Sequence, residues 1–387
     1  MSRLRLAVLC DARDEGWPSM DLVGEMLLAA LEGPLAAEVE VTPLRPLLPR
    51  LVRRLPGVPP RLALNADRFA GRYLALPLRA RRLPEALDAY HVVDHSYAHL
   101  ARSLPAGRAG VFCHDADAFR SLFDPRERRP AWFRALARHV LSGLQRAAVV
   151  FHSTRAVREE LVRHGLVDPA RLVHAPYGVG PEFSADGPAS GLLEDRSPSP
   201  GGSVAAPASA RPTRYLLHVG SAAPRKRLDL LLDLFARVRG EVPDLKLVQV
   251  GAAFGPELRA QVERLGLAGG ALVQPPPLPR TELAALYRGA LLVLLPSDSE
   301  GFGLPALEAL ACGAPVVSSD LPVLREVAGG AALYAPPGDP GAWTDLVLRI
   351  LDGRAALPSR TERLAQARQF TWEAHARAIL GAYQRLP

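Results

Sequence analysis

The stretch 297–317 constrains the fold of this chain more than any other. The apolar run 291–295 before it predicts a buried strand, and 315–318 predicts a second one. Between them lie a turn with two glycines and an apolar helix that starts near Pro305 and ends at Gly313. A strand, a helix and a second strand form a βαβ unit, and such units build parallel sheets covered by helices. The sequence therefore predicts an α/β fold.

Two glutamates, Glu300 and Glu308, lie at the beginning of this helix with seven residues between them. The free N–H groups of a helix start attract anions, phosphate above all. Either acid can be explained by the helix dipole alone, which suits Glu300 well. It suits Glu308 poorly, because Glu308 lies among alanines and leucines, where we expect a buried charge without a protein partner. This pattern predicts a site for the hydroxyls of a sugar or a ribose.

The segment from Glu300 to Val317 reads Glu-Gly-Phe-Gly-Leu-Pro-Ala-Leu-Glu-Ala-Leu-Ala-Cys-Gly-Ala-Pro-Val-Val. It resembles the retaining nucleotide-sugar glycosyltransferases of the GT-B fold, family four of the sequence-based classification (glycosyl transferases group 1). The resemblance implies two Rossmann-like domains that face each other across a cleft, with a C-terminal helix crossing back to the first. It also implies a hexosyltransferase that moves a sugar from a nucleotide-sugar donor with retention of anomeric configuration.

The resemblance also implies roles for individual residues. Glu300 holds the hydroxyls of the transferred sugar and Glu308 those of the ribose, while Lys226 and His114 are the other implied catalytic residues. The plainer alternatives are a solvated charge run at 225–227 and an ordinary polar residue at a strand end for His114. The implied donor-binding residues are Gly220, Arg225, Lys226, Gln274, Glu300, Gly301, Phe302, Gly303, Leu304 and Glu308.

We expect no metal and no cofactor, since Arg225 and Lys226 can neutralise the leaving diphosphate. A UDP- or GDP-sugar is the expected donor, and a glycan, a lipid-linked sugar or a small molecule is the expected acceptor. The alternatives are a nucleotide-sugar epimerase on the same fold and a nucleotide-sugar-binding pseudoenzyme or partner subunit. The pseudoenzyme alternative stays open because the turn 16–19 lacks the glycine pair that is usual in the family.

The length of 387 residues predicts two domains. Composition changes to serine, proline, glycine and alanine at 179–212, which predicts a linker or surface insertion. We therefore predict an N-terminal acceptor domain at 1–178, a donor domain at 213–369 and a crossover helix at 370–387. The region 43–82, rich in proline, leucine and arginine, shows little periodicity.

The net charge of +7 lies wholly in the first half of the chain, because residues 1–180 contain 26 arginines and 19 acids. Two clusters there, Arg53-Arg54 and Arg81-Arg82, lie next to leucine and valine and predict an acceptor side at an anionic membrane surface. A solvated face made arginine-rich by coding bias is an equal alternative. Nucleic acid is not expected as a partner, because few aromatic side chains are available to stack on bases.

No apolar run approaches the roughly 18 residues of a membrane span, and the N-terminus is typical of a first strand rather than a signal peptide. Cys10, Cys113 and Cys312 lack metal-ligand spacing and predict reduced thiols. We therefore expect a cytoplasmic protein, placed at the inner face of the membrane if the arginine clusters bind lipid.

Overall fold

The computed structural model describes residues 3–84, 86–190 and 213–386. The chain divides into two compact units: Met1–Gly178 with Phe370–Pro387, and Val179–Gln369. Each unit contains a six-stranded sheet in which all pairings are parallel. The continuous apolar runs of the strands follow from burial on both faces of the sheets. Two Rossmann-like units are thus confirmed.

The first sheet has the spatial order β2-β1-β3-β4-β5-β6. Its strand order reverses between the first and third strands, and in open α/β sheets the carboxyl ends of the strands at such a reversal form the ligand crevice. The strands are β1 (Leu4–Leu9), β2 (Val39–Leu44), β3 (Ala89–Val92), β4 (Ala109–Cys113), β5 (Val149–His152) and β6 (Leu172–His174).

Helices connect these strands, and two of them fall in the region where the sequence showed little periodicity. That region is helical from Pro60 to Ala80, with a π-helical segment at Gly71–Ala75. Its exposed side carries large apolar side chains, whereas its buried positions hold small residues and one acid, so the large apolar residues do not mark the buried face. The exposed residues are Leu62, Phe69, Leu74 and Leu78, and the buried ones are Ala63, Asp67, Gly71 and Ala80. The helices are α1 (Pro18–Glu32), α2 (Pro60–Ala70), α3 (Leu76–Ala80), α4 (Arg120–Phe123), α5 (Ala131–Arg146) and α6 (Arg155–Arg163).

The second sheet has the spatial order β12-β11-β10-β7-β8-β9, which reverses between the seventh and tenth strands. Its central strands are fully buried. The strands are β7 (Tyr215–Val219), β8 (Lys246–Val250), β9 (Leu272–Val273), β10 (Leu292–Leu295), β11 (Val316–Ser319) and β12 (Leu333–Ala335).

The helices of the second unit alternate with these strands, and a last helix returns to the first unit. In the described part of the second unit the helices are α7 (Leu228–Glu241), α8 (Pro256–Arg264), α9 (Arg280–Gly289), α10 (Leu304–Ala311), α11 (Pro322–Ala328), α12 (Pro340–Leu351) and α13 (Arg360–Ala367). The last helix, α14 (Trp372–Tyr383), lies in the first unit, where the Tyr383 hydroxyl is 2.9 Å from Nδ1 of His91 and donates to the Tyr90 carbonyl at 3.2 Å. Within the described residues, no helix combines the length and apolarity needed to cross a bilayer.

Residues 179–190, at the start of the predicted linker, pack onto the second unit. Phe183 is buried with its ring centroid 5.8 Å from that of Tyr287, and Glu182 forms an ion pair with Arg280. Of the two predicted alternatives, a linker and a surface insertion, neither is decided by these contacts, but one aromatic side chain and one acid of these twelve residues have partners on α9. The rest of the predicted linker, 191–212, lies outside the described residues.

Candidate functional site

The carboxyl edge of the second sheet carries most of the predicted donor-binding residues. Its strand order reverses between β7 and β10, so the loops that follow these strands meet at one place. Lys226 follows β7, and Glu300, 74 residues further along the chain, follows β10. The fold thus brings together two residues that the sequence could only propose separately.

Lys226 and Glu300 form a buried ion pair. Nζ of Lys226 donates to Oε1 of Glu300 at 2.6 Å and to Oε2 at 2.8 Å. Ser297 Oγ also donates to Oε1, at 2.7 Å, and a guanidinium nitrogen of Arg225 lies 3.5 Å from Oε2. Two cations and a hydroxyl therefore surround one carboxylate. A diphosphate that binds here can replace Glu300 as the partner of these cations, because it forms charge-assisted hydrogen bonds with them.

Arg227, the third cation of the run, turns away from Glu300. Its φ of 49° is left-handed, and α7 begins at the next residue. Its guanidinium pairs with Asp229 at 2.9 Å and with Asp298 at 3.1 Å, and the hydrogen bond to Asp229 is the main reason that the pKa of Arg227 is raised. The run 225–227 is thus split between a buried cluster and a partly exposed one.

Gly303 ends the turn before α10. Its φ is 93°, and a Cβ at this position would lie 2.6 Å from Cδ2 of Leu324, so both the conformation and the available space require glycine. Among the described residues no side chain caps this helix start, and Pro305 has no N–H. The positive end of α10 therefore faces the sheet edge beside Gly301, Phe302 and Leu304, of which Phe302 is buried.

Glu308 is buried in α10, and its carboxyl group has a partner. The Tyr287 hydroxyl donates to Oε2 of Glu308 at 3.1 Å. Burial raises the pKa of Glu308 to about 7, and the charge of Arg280 and the bond from Tyr287 oppose this rise. The expectation of a buried charge without a protein partner is therefore wrong. The partner lies 21 residues earlier, on α9, where sequence neighbours give no indication of it.

Gln274 belongs to a chain of amide groups at the same edge. Its Nε2 donates to Oε1 of Gln249 at 2.6 Å, and Nε2 of Gln249 donates to the carbonyl of Gly220 at 3.2 Å. Two predicted donor-binding residues, Gln274 and Gly220, are thus linked through a third that the sequence did not single out. The sequence could have indicated Gln249, because a polar residue within the apolar run of the buried strand β8 is unusual.

His218 is a second polar residue that sequence analysis missed. It lies in β7, is fully buried, and has no hydrogen-bond partner on either ring nitrogen within the described residues. Burial lowers the pKa of His218 to about 3, and the nearby charge of Lys226 adds to this, so the ring is neutral. A Cβ on Gly220 would lie 2.9 Å from its Cε1, so the imidazole lies directly under the loop that carries Lys226.

His114 lies at the corresponding edge of the first sheet and is buried with both ring nitrogens hydrogen-bonded. Nε2 donates to the carbonyl of Val93 at 2.9 Å, and Nδ1 accepts from the Tyr177 hydroxyl. Burial lowers the pKa of His114 to about 4. The neutral ring therefore holds two segments of the first unit together, and its predicted catalytic role stays a prediction.

Around His114 lies a polar cluster that the sequence did not predict. Asp94 and His95 follow β3, with Nδ1 of His95 3.4 Å from Oδ1 of Asp94. Potential ligand atoms of Asp94, His95 and His114 lie within 4.8 Å of one another, but both nitrogens of His114 are already engaged. Asp11, after β1, is buried beside Asp94 with no hydrogen-bond donor in the described residues, and burial raises the pKa of Asp11 to about 9.

The four arginines predicted to face the acceptor or a membrane differ in their surroundings. Arg53 donates from Nε to the buried Asp67 at 3.0 Å and also pairs with Asp14 at 3.3 Å. Asp67 further accepts three backbone N–H bonds from 51–53, so Arg53 stabilises the local fold. Arg54, Arg81 and Arg82 are exposed. Arg53 therefore has a structural role of its own, and the predicted membrane side of all four arginines stays a prediction.

The family model described as "Glycosyl transferases group 1" matches residues 205–369, which lie in the second unit. A D-inositol 3-phosphate glycosyltransferase of Kineococcus radiotolerans is 34% identical over 255 residues, which are 60% of this chain and 56% of that protein. The O-antigen chain mannosyltransferase B of Escherichia coli is 35% identical over 175 residues, 44% of this chain and 46% of that protein. The chain spans about half the length of these curated relatives.

Solved structures match nearly the whole chain at low sequence identity. Sucrose-phosphate synthase from Thermosynechococcus elongatus covers 99% of both chains with a TM-score of 0.70 and 18% identity. HepE of Anabaena, solved in complex with UDP, covers 99% of this chain and 100% of its own, with a TM-score of 0.66 and 16% identity. These matches confirm the GT-B fold, and within the second unit the chain is similar to the glycosyl transferases group 1 family.

Proposed function

We propose that this protein is a retaining glycosyltransferase that moves a sugar from a nucleotide-sugar donor to an acceptor. The observation that carries the proposal is the Lys226–Glu300 pair at the strand reversal of the second sheet, directly before the uncapped start of α10. A binding site for a diphosphate needs exchangeable cations and backbone N–H groups, and both are present at this edge. Relatives named as glycosyltransferases support the reaction class.

The donor half of the site divides into three contacts. Arg225 and Lys226 bind the diphosphate and stabilise the negative charge that grows on it as the glycosidic bond breaks. Glu300, released from Lys226, accepts hydrogen bonds from the sugar hydroxyls. Glu308 accepts from the ribose, and the amide chain that ends at Gln274 lies where the base is expected. The complex of the neighbour HepE with UDP supports a uridine nucleotide, and a GDP-sugar is the other candidate donor.

The chemistry needs no covalent nucleophile and no metal in this proposal. The acceptor hydroxyl attacks the face of the sugar from which the diphosphate leaves, and a phosphate oxygen of the leaving group takes the hydroxyl proton. The new bond forms on the face of the old one, so configuration is retained. The two cations at the second sheet stabilise the leaving group in the role that a divalent ion plays elsewhere. His114 stays a candidate at the sugar, through the neutral imidazole.

The acceptor side is proposed to meet an anionic membrane surface. Between residues 43 and 84 the chain contains ten arginines and one acid, Asp67, which is buried. Several large apolar side chains in the same region are exposed, with Leu47 at 85% the most exposed of them. Arginine beside exposed leucine is the composition of surfaces that lie in the lipid headgroup region. A lipid-linked sugar or a membrane-borne glycan suits this location.

Slow donor hydrolysis tests the proposal without knowledge of the acceptor. Purified protein incubated with UDP-glucose, UDP-galactose or GDP-mannose is expected to release nucleotide from one of them, and EDTA is expected to leave the rate unchanged. Glu300→Gln and Lys226→Gln should abolish release, while the control Arg227→Lys should retain it. Sugar isomerisation without nucleotide release would identify an epimerase, and binding without any reaction would identify a binding protein; either result overturns the proposal.

A further inference from the structure

A cavity of about 320 Å³ opens in the first unit, at the carboxyl ends of β1 and β2. Small-molecule sites begin at roughly this size, about 300 Å³. At roughly 30 Å³ for a water-sized group, the cavity has room for about ten such groups. Its wall is largely aliphatic, and the leucines that form it are Leu9, Leu44, Leu76, Leu83 and Leu100.

Three arginines also line this cavity, and they differ in how their charge is balanced. Arg45 pairs with Asp21 at 2.9 Å. Arg79 and Arg82 are exposed, and neither forms an ion pair or a side-chain hydrogen bond with any described residue. An aliphatic cavity with two uncompensated cations beside it fits a ligand that is apolar at one end and anionic at the other.

The helical segment 60–80 is irregular directly before the residues that line the cavity. The π-helical segment Gly71–Ala75 interrupts α2 and α3, and Leu76 is the first residue after it. Segments of this kind are rare and are frequently found at functional sites. The extra residue in the turn changes which side chains of α3 face inward, so that Leu76 and Arg79 line the cavity while Leu78 stays exposed.

The cavity also adjoins the exposed apolar and arginine-rich region 43–84. Leu74 and Leu78, on either side of Leu76 in the chain, are both more than half exposed. Exposed leucines in a region with ten arginines and one buried acid favour contact with anionic lipid. A lipid molecule that leaves the bilayer at this surface meets the cavity without crossing open water.

We propose that the cavity binds the alkyl end of an anionic amphiphile, whose phosphate contacts Arg79 and Arg82. This deepens the acceptor side of the proposed function, because it names a lipid phosphate as the class of ligand on the first unit. It differs from general attraction to a membrane, since it requires one site of defined size and two particular arginines.

Calorimetric titration of the full chain with decyl phosphate, below its micelle concentration, tests the proposal. Inorganic phosphate supplies the anion without the chain, and decyl maltoside supplies the chain without the anion. We expect saturable one-to-one binding of decyl phosphate and binding of either comparison compound that is weaker by about a hundredfold or more, since each lacks one of the two contacts. Equal binding of inorganic phosphate, equal binding of decyl maltoside, or no binding of decyl phosphate would each overturn it.

Matched variants locate the site. Arg79→Gln with Arg82→Gln should weaken decyl phosphate binding about tenfold or more, as expected for lost hydrogen bonds to a charged group. The control pair Arg126→Gln with Arg128→Gln, which are exposed residues of the first unit outside the cavity, should leave it unchanged. Leu76→Trp should fill the cavity and block binding, whereas Leu78→Trp on the exposed side should not. Equal effects within either pair would contradict the proposal.

The outcome is independent of glycosyl transfer, because binding is measured without a donor. A protein that releases nucleotide from a donor but does not bind decyl phosphate disproves the lipid site alone. A protein that binds decyl phosphate but releases no nucleotide from any donor disproves glycosyl transfer alone.

Discussion

Nζ of Lys226 lies 2.6 Å from Oε1 and 2.8 Å from Oε2 of Glu300, so one buried ammonium bridges both oxygens of one carboxylate. Each residue neutralises the charge of the other. Removing one of them leaves a buried charge without its partner, which typically costs about 3–5 kcal/mol. The pair therefore stabilises the unoccupied site as well as providing the groups that we assign to the donor. Stability and activity can be separated here by changing one or both partners.

The first prediction concerns that separation. Lys226→Met should lower the free energy of unfolding by about 3 kcal/mol, because Glu300 loses its two shortest charged contacts and keeps only Ser297 and the half-exposed Arg225 at 3.5 Å. Adding Glu300→Gln should restore most of the loss, since no charge is then left unpaired, while nucleotide release should be absent in both variants. Urea denaturation measures the first quantity and a donor-hydrolysis assay the second. A double variant as unstable as Lys226→Met would show that the pair is not the stabilising contact.

Arg227 provides the matched control. Arg227→Lys should change stability by less than about 1 kcal/mol and leave activity nearly intact, because its partners Asp229 and Asp298 are half-exposed and such pairs contribute little. Lys226→Arg, in contrast, should impair donor binding, because a guanidinium is broader than the compact ammonium it replaces in this buried place and pairs with both oxygens of Glu300 as a fork. Equal tolerance at both positions in the same assay would contradict the assignment.

Much of the fold could be predicted from the sequence, because the strands are buried on both faces and appear as apolar runs. β10 was expected at 291–295 and is found at Leu292–Leu295. Helices α2 and α3 were missed, because their large apolar residues do not mark the buried face. The family resemblance identified the donor edge, and it did so through local sequence in one βαβ unit.

The partners of the charged residues could not be predicted, because they come from distant parts of the chain. Glu308 finds Tyr287 one helix earlier, and Lys226 finds Glu300 across the strand reversal. Sequence spacing carries no information on such pairs until the order of strands in the sheet is known. For the same reason the bond between Arg53 and the buried Asp67 could not be predicted.

The next prediction concerns Glu308 and pH. The pKa of this carboxyl in the folded state is about 7, above its ordinary value of 4.5, because burial disfavours the charged form. The folded state therefore binds a proton that the unfolded state releases, so stability from this group is complete below pH 4.5 and declines as pH rises to 7. The decline should not exceed about 3 kcal/mol. Glu308→Gln should remove this pH dependence, measured as the difference between the two proteins in urea denaturation from pH 5 to 8.

Glu308→Ala should behave differently from Glu308→Gln. The alanine variant leaves the buried Tyr287 hydroxyl without its acceptor and should lose about 1–3 kcal/mol, whereas glutamine keeps an oxygen in place. Nucleotide affinity should fall in both, if the carboxylate binds the ribose. An alanine variant with unchanged stability would show that Tyr287 finds another partner.

Arg53 and Arg54 are neighbours with opposite expected phenotypes. Arg53→Gln should lower stability by about 1–3 kcal/mol, because the buried Asp67 loses a charged donor, and should affect lipid binding only in proportion to unfolding. Arg54→Gln with Arg81→Gln should leave stability unchanged and weaken sedimentation with vesicles of anionic lipid by about 1 kcal/mol per arginine. Salt should abolish the difference. Equal sedimentation of all variants at low salt would remove the membrane from the proposed function.

The last prediction concerns the acid stability of the two units. Among the described residues, the first unit buries five histidines whose pKa values are lowered by burial to about 3 or 4, whereas the second unit buries His218 alone in this way. The five are His91, His99, His114, His152 and His375.

A buried neutral imidazole with a lowered pKa makes the folded state bind fewer protons than the unfolded state once the pH falls below about 6.5. Stability from each histidine is therefore complete above that pH and is lost as the pH falls toward 4, by up to about 3 kcal/mol each. Five such losses amount to as much as about 15 kcal/mol, the upper end of the roughly 5–15 kcal/mol that stabilise a typical domain. The raised pKa of a buried carboxyl group acts in the opposite direction, and each unit has one, Asp11 in the first and Glu308 in the second. The excess of buried histidines in the first unit therefore decides the comparison.

We therefore expect the first unit to unfold at a higher pH than the second. Hydrogen exchange followed by mass spectrometry between pH 7 and 4 should show loss of protection in β3, β4 and α14 before β7 and β10. His91→Phe is not a usable control, because it removes the contact with Tyr383. His152→Gln is preferable, since it keeps a donor near the Thr154 carbonyl and should move the first transition to lower pH. Simultaneous loss of protection in both units would show that they unfold as one, and earlier loss in the second would contradict the histidine argument.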